Sequence, residues 1–214
     1  AIVTGDVDGD GRPDLAITDD TANEVLVALN AGAAQCPAVA HVATATKPVA
    51  IATADLDGDS DLDLVTANEG ADSISILINS SGTFTLQSSI PVGQEPSGVA
   101  AADFDGDGHT DIVVANTKDD DMTVLLGPAF TNKRSFETGG AAPGPVIAAD
   151  LNGDGRPDLL VASADGDGVF WYEAPTWTKH RIGDGSFTTA MAVGDIDGDG
   201  YLDVVVPSAG KPYA

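Results

Sequence analysis

The stretch DFDGDGHTDIVVA, residues 103–115, sets four aspartates and two glycines within nine positions and then turns at once into an apolar run. Carboxylates a few ångströms apart repel, and each raises the pKa of its neighbour. Placed directly ahead of a segment that must be buried, they require a neutralising partner. The pattern occurs five times: DVDGDGRPDLAI from Asp6, DLDGDSDLDLVT from Asp55, DFDGDGHTDIVV from Asp103, DLNGDGRPDLLV from Asp150 and DIDGDGYLDVVV from Asp195. The intervals are 49, 48, 47 and 45 residues. A period of that length is the mark of a repeat architecture.

Between copies the chain keeps one grammar. A small-residue apolar segment precedes each loop (PVAIATA, SGVAAA, PVIAA, TTAMAVG), and a short β-branched run follows it (LDLVTA, DIVVA, DLLVA, DVVVP). After a turn come alternating segments such as SISILIN, MTVLL and VFWYE, then a closing segment such as TFTLQSSI or WTKHRI. Short β-rich runs with turn signals every 8 to 12 residues predict four antiparallel strands per repeat. No window carries an apolar period of 3.6 residues over a helical length. The chain is therefore expected to be all-β, and four-stranded units that cannot bury their own faces predict the blades of a propeller rather than a β-solenoid, whose repeats are shorter.

The expected units are about 1–48, 49–96, 97–143, 144–187 and an incomplete 188–214 within a single domain, four and a half blades in all. A half-blade leaves unpaired strand edges. The expectation is a part of a longer, seven-bladed ring, with a ring of four or five blades as the alternative and self-association through the incomplete blade as a further expectation.

Apolar residues make up 43% of the 214, enough for a core, while 34 acids face 9 bases for a formal charge of -25. That balance speaks against nucleic acid and anionic membrane as partners and favours cations. No apolar run is long enough for a bilayer span, so membrane insertion is not expected. No leader is visible, although the chain opens inside its repeat pattern. Cys36 is the single cysteine, which excludes a disulfide framework and is read as a small packing residue.

Numbered from its first aspartate, each loop presents acidic or amide oxygens at positions 1, 3, 5 and 9. Calcium takes six to eight oxygens at about 2.3–2.6 Å. Glycine at position 4, and at position 6 in four copies, supplies the backbone conformations that a curled loop requires. Position 7 would offer a backbone carbonyl, which accounts for its variety: Arg12, Asp61, His109, Arg156 and Tyr201. A helical calcium loop needs an acid at position 12, where this chain has Ile17, Thr66, Val114, Val161 and Val206. These are nine-residue loops joining strands. Solvated Asp/Gly turns are the competing reading, but turn chemistry does not demand oxygens at those four positions five times over.

The D-x-D-G-D-G-x-x-D loops resemble the calcium-binding FG-GAP/VCBS repeats of integrin-alpha-like β-propellers, over essentially the whole chain. In that family the loop joins the first two strands of a blade and holds one calcium. Carried over by position, the resemblance implies up to five structural ions. The first site would use Asp6, Asp8, Asp10 and Asp14, and the second Asp55, Asp57, Asp59 and Asp63. The third would use Asp103, Asp105, Asp107 and Asp111, the fourth Asp150, Asn152, Asp154 and Asp158, and the last Asp195, Asp197, Asp199 and Asp203. Asn152 removes a charge from the fourth site, and in the second Ser60 replaces a glycine while Asp61 adds a fifth carboxylate. Five ions would bring the net charge to about -15.

His41, His109 and His180 are scattered and no catalytic motif accompanies them. The DGDG at Asp165 is expected to be a hairpin turn, and FTNKRSFETGG (130–140), the only basic cluster, a solvated turn. Trp171, Tyr172 and Trp177 with His180 resemble the aromatic texture of fungal-lectin and carbohydrate-active propellers. Core packing is the competing reading, since neighbours on a strand point to opposite faces. The expected function is a secreted or cell-surface recognition or adhesion module, non-catalytic, binding a glycan or an extracellular protein. A carbohydrate-active lyase and a structural assembly subunit are the alternatives.

Overall fold

A computed structural model describes residues 1–32, 39–138, 142–163, 168–184 and 191–206. Cys36 and residues 165–167 of the DGDG lie outside the described residues. Strands β1 (Ile2–Gly5), β2 (Asp14–Asp19), β3 (Glu24–Ala28) and β4 (Val39–Ala43) form the first antiparallel sheet in that order. The second is β5 (Pro48–Ala54), β6 (Asp63–Asn68), β7 (Ser73–Ser80) and β8 (Thr83–Pro91). The third is β9 (Pro96–Ala102), β10 (Asp111–Asn116), β11 (Asp121–Leu126) and β12 (Asn132–Glu137). The fourth is β13 (Pro143–Ala149), β14 (Asp158–Ser163), β15 (Val169–Glu173) and β16 (Thr178–Gly183), and β17 (Ala192–Gly194) pairs with β18 (Asp203–Val205). A single 3-10 turn, Glu69–Ala71, is the one helical element described. The chain is an all-β partial propeller of up-and-down blades.

The β-branched runs after each loop become the second strands, and their burial decides the architecture. Every residue of β6, β10 and β14 is buried. Successive side chains of a strand point to opposite faces, so one strand serves two layers. Leu64 packs with the first blade's Val25 and Val27, whereas Val65 packs with the third blade's Ile112 and Val114. Val113 then faces Leu159 and Val161 of the fourth blade, while Leu160 and Ala162 turn to the layer containing Val193 and Val204. Apolar burial at about 25 cal/mol per Å² is thus gained between blades more than within them.

The small-residue segments become the innermost strands, β1, β5, β9 and β13, which surround a cavity of about 340 Å³. They are small because neighbouring strands converge there: a Cβ on Gly98 would stand 2.5 Å from the Gly144 carbonyl oxygen. At the outer edge, the β7–β8 hairpin turns through Ser81 and Gly82, both at positive φ (47° and 85°), as a two-residue primed turn requires. The basic stretch expected to be a turn is instead strand β12, paired with β11 from Leu126↔Asn132 to Asp121↔Glu137. Its charges are tolerated because an outermost strand is exposed.

Neighbouring blades are also latched at the loop end. In the first three loops the residue after the first aspartate (Val7, Leu56, Phe104) is buried and shares a cluster with an aromatic near the third-to-fourth-strand hairpin of the next blade (Phe84, Phe130, Trp177).

Blades two and three differ at one buried polar site. Asn68 donates to Ser75 Oγ at 3.0 Å and accepts from Thr66 Oγ1 at 2.9 Å. Asn116, its counterpart, donates to Thr123 Oγ1 at 2.9 Å, but its Oδ1 is buried with no partner, because Val114 stands where blade two has Thr66. An orphaned buried acceptor costs about 1–3 kcal/mol. Val114→Thr is therefore expected to stabilise the protein by about 1 kcal/mol. Thermal unfolding checks this, and a lower midpoint for the variant would reject it.

Candidate metal centres

Each acidic loop joins the first strand of its sheet to the second, and its backbone organises the carboxylates in one way throughout. The position-1 aspartate accepts from loop amides: Asp6 Oδ1 from the Gly9 and Asp10 N–H groups, both at 3.0 Å, and Oδ2 from the Gly11 N–H at 2.8 Å. Asp55, Asp103, Asp150 and Asp195 accept from the corresponding amides of their own loops. These bonds need positive φ at positions 4 and 6, as at Gly106 (77°) and Gly108 (86°). Ser60 adopts φ 75° at the one copy lacking the second glycine, a conformation that is costly for a residue with a Cβ.

The position-5 carboxylate accepts from the N–H of position 7: Arg12, Asp61, His109, Arg156 and Tyr201 each donate at 2.8–2.9 Å. The position-7 side chains take different courses. Arg12 pairs with Asp10 and donates to the Asn30 carbonyl. Asp61 does not add a fifth carboxylate to its loop; its Oδ2 accepts from the Ser81 N–H at 2.8 Å and so caps the β7–β8 hairpin. Tyr201 is exposed.

The position-9 aspartates opening β2, β6, β10 and β14 are buried, and both oxygens of each are engaged. Asp14 accepts from Val7 N–H at 2.9 Å and Asn30 N–H at 2.6 Å. Asp63 accepts from Leu56 and Asn79, both at 2.8 Å. Asp111 and Asp158 do the same with Phe104 and Gly127, and with Leu151 and Ala174. Asp203 accepts from Ile196 N–H at 2.9 Å. Asp14, Asp63, Asp111 and Asp158 thus tie their loops to the exit of the third strand, 16 residues further on. Sequence reading placed these residues in the cage and missed this second role. Burial pushes the carboxyls of Asp63, Asp111 and Asp158 above the ordinary aspartate value; the two N–H bonds on each act in the opposite sense, and neighbouring loop carboxylates add to the rise.

Carboxylate oxygens converge to within 4.8 Å of one another in four loops: Asp6, Asp8 and Asp10; Asp55, Asp57 and Asp63; Asp103, Asp105 and Asp111; Asp195, Asp197 and Asp199. Asp59 and Asp107 stand outside these sets, as does Asp14. The fourth loop forms no such triad among the described residues; there Asn152 turns its amide toward Asp154 at 3.4 Å. Oxygens bound to one calcium-sized ion at about 2.3–2.6 Å lie at most about 4.6–5.2 Å apart. An all-oxygen, acceptor-only set within that span fits a hard divalent cation.

The three aromatics do not form one platform. Tyr172 is 3% exposed, and its hydroxyl donates to the Thr138 carbonyl at 2.7 Å. Burial pushes its phenol pKa up. It belongs to the core between blades three and four and is corrected from ligand contact to packing. Trp171 turns to the opposite face, toward Val193 and Val204, and stacks on His180 at 4.2 Å. Trp177 joins Tyr172's layer, against Phe104 and Phe136.

The model of the FG-GAP-like repeat matches residues 6–66, 55–114 and 150–206. No curated protein matches the chain. Among solved structures, the biofilm matrix protein Bap1 of V. cholerae is similar at 19% identity and TM-score 0.55, over 96% of this chain and 34% of that one. The hydrazine synthase of Kuenenia stuttgartiensis is 20% identical with TM-score 0.63, over 84% of this chain and 49% of that one. BBS1N, in its complex with ARL6DN, is 17% identical with TM-score 0.59, over 96% and 74%. The chain thus spans about a third and a half of the first two. At these identities the likeness shows the fold alone. No helix among the described residues is long and apolar enough to cross a membrane.

Proposed function

The chain belongs to the FG-GAP-like repeat family, and from that premise we propose that it is a calcium-stabilised, non-catalytic recognition module acting outside the cell on a glycan or protein ligand. The carrying observation is the convergence of three carboxylates within 4.8 Å in four of its loops. Three negative charges in that space favour a divalent cation, and the loop amides supply only part of the compensation. Extracellular modules typically hold calcium at about 0.1–1 mM, a range filled outside cells and not in cytosol, so the extracellular assignment carries an expected affinity in that range. The scaffold alone does not choose between catalysis and binding, since the similar structures include both a synthase and a matrix protein.

The test is a screen of the protein against immobilised glycans and extracellular matrix proteins, in millimolar calcium and in chelator. Binding that appears in calcium and disappears in chelator is the expected result. Binding that is indifferent to calcium would remove the metal from the recognition function, and no binding in either medium would count against recognition itself.

A further inference from the structure

With 34 acids to 9 bases, a cation on this surface has no shortage of carboxylates to pair with. Six of the eight described Lys and Arg head groups have a partner, a carboxylate for Arg12, Lys47, Lys118 and Arg181 and a backbone carbonyl for Lys133 and Lys179. Among the described residues, Arg134 and Arg156 have none, and both come to the third acidic loop. Arg134, on β12, lines a cavity of about 170 Å³ together with Phe104, Asp105, Leu126, Pro175 and Trp177. Arg156 reaches across from the fourth blade's loop to lie over Gly106, its Nε 3.5 Å from where a side chain would begin.

Trp177 is more than the latch requires. It sits at a left-handed φ of 58°, which costs a bulky residue about 1–2 kcal/mol, and packing on Phe104 and Phe136, each at 5.6 Å between centroids, holds it there. Phe130 occupies the third blade's hairpin at φ 53° and is buried, as is Phe84 in the second. A phenyl ring therefore suffices to latch the blades. The larger indole stays partly exposed and faces the cavity that Arg134 lines.

A partly exposed indole beside an unpaired guanidinium suits a ring that also carries a carboxylate. The C–H face of a sugar lies on the indole, and the planar fork of arginine matches a carboxylate with two parallel bonds. The cavity is below the roughly 300–1,000 Å³ of drug-sized sites, so it takes one sugar unit and leaves the rest of a chain in solvent. We propose that the groove between blades three and four, at the acidic-loop end, binds a carboxylate-bearing sugar such as a unit of an acidic polysaccharide. Trp177 lies under the ring, Arg134 holds the carboxylate, and Arg156 adds a second positive charge. This rests on the calcium reading above, because Asp105 lines the same cavity and repels an anion unless a cation engages it.

Glucuronate is the probe, titrated into the full chain in millimolar calcium and followed by the indole N–H resonance of Trp177. Glucose and N-acetylglutamate amide are the controls. A saturable shift with glucuronate is expected, with glucose at least ten-fold weaker. Arg134→Gln is expected to lose roughly ten-fold or more, the scale of one charge-assisted pair, while its rise in Tm with calcium matches the parent's. Trp177→Phe keeps the latch and is expected to weaken glucuronate as well, read by calorimetry. The proposal is overturned by an absent shift in a protein whose Tm responds to calcium, by Arg134→Gln binding like the parent, or by N-acetylglutamate amide binding as tightly as glucuronate. A Tm indifferent to calcium defeats the metal reading first, and this proposal with it.

Discussion

In millimolar calcium the protein is expected to melt well above its midpoint in chelator, by more than about 8 °C. A ligand that binds only the folded state stabilises it by RT ln(1 + [L]/Kd). At about 10 mM calcium and the 0.1–1 mM affinity of extracellular modules, each filled site contributes roughly 1.4–2.7 kcal/mol. For a chain of this size 1 kcal/mol moves Tm by about 2–4 °C, and at least three filled sites carry the shift past the stated bound. Magnesium at the same concentration should do much less, because it gives up its water reluctantly and demands a stricter geometry. Equal midpoints in calcium and chelator would refute the calcium reading of the loops.

The same experiment has a pH signature. In chelator, burial raises the pKa of Asp63, Asp111 and Asp158, so the folded state holds protons that the unfolded state has released. Their contribution is fully present below the ordinary aspartate value of about 3.9 and is lost as pH rises through the raised folded value. Stability should fall with pH across that interval and then level off. Bound calcium holds the carboxylates ionised, so in calcium the slope should reverse. Midpoints measured from pH 4 to 7 in both media check this, and parallel slopes would show that no ion touches these groups.

The second large effect is expected at Asp63. Its side chain is 0% exposed and accepts two backbone N–H groups, Leu56 and Asn79. Asp63→Ala orphans both in a buried setting, at about 1–3 kcal/mol each, so a loss of roughly 2–6 kcal/mol is expected with or without calcium. Asp57, in the same carboxylate set, is exposed and among the described residues accepts only from Asp59 N–H at 3.2 Å. Asp57→Ala should therefore be within about 0.5 kcal/mol of the parent in chelator and lose stability only when calcium is present. Chemical denaturation of both variants in both media separates the roles. If the two variants behave alike in chelator, the structural role of Asp63 is wrong.

These two aspartates also mark where reading the chain stops being sufficient. The five loops, their nine-residue length and the four-strand grammar are legible because they are local: spacing along the chain records the turn, and alternation records the strand. Nothing along the chain tells the position-9 aspartate from those at positions 1, 3 and 5. Its partner lies 16 residues away on another strand's exit, and only the pairing of β6 with β7 brings the two together. An aromatic recurs near the third-to-fourth-strand turns of the second, third and fourth repeats as Phe84, Phe130 and Trp177, but its counterpart sits in the previous blade's loop, so the latch is not legible along the chain.

The aromatics of the fourth repeat make the same point in reverse. Trp171, Tyr172 and Trp177 are close in the chain and were read together, yet β15 sends Trp171 and Tyr172 into different inter-blade layers. The basic stretch at 130–140 reads as a turn along the chain because its charges hide a strand, and its residues 132–137 are an edge that pairs on one side only. The sequence by itself determined the repeat, the all-β blade and the acidic loops, since each is written in neighbouring residues. The tertiary structure alone decided which carboxylates converge, which one is anchored by buried amides, and which aromatic and which arginines meet at the third loop. Those contacts join residues up to about 70 positions apart, and their partners are chosen by how the blades pack against one another.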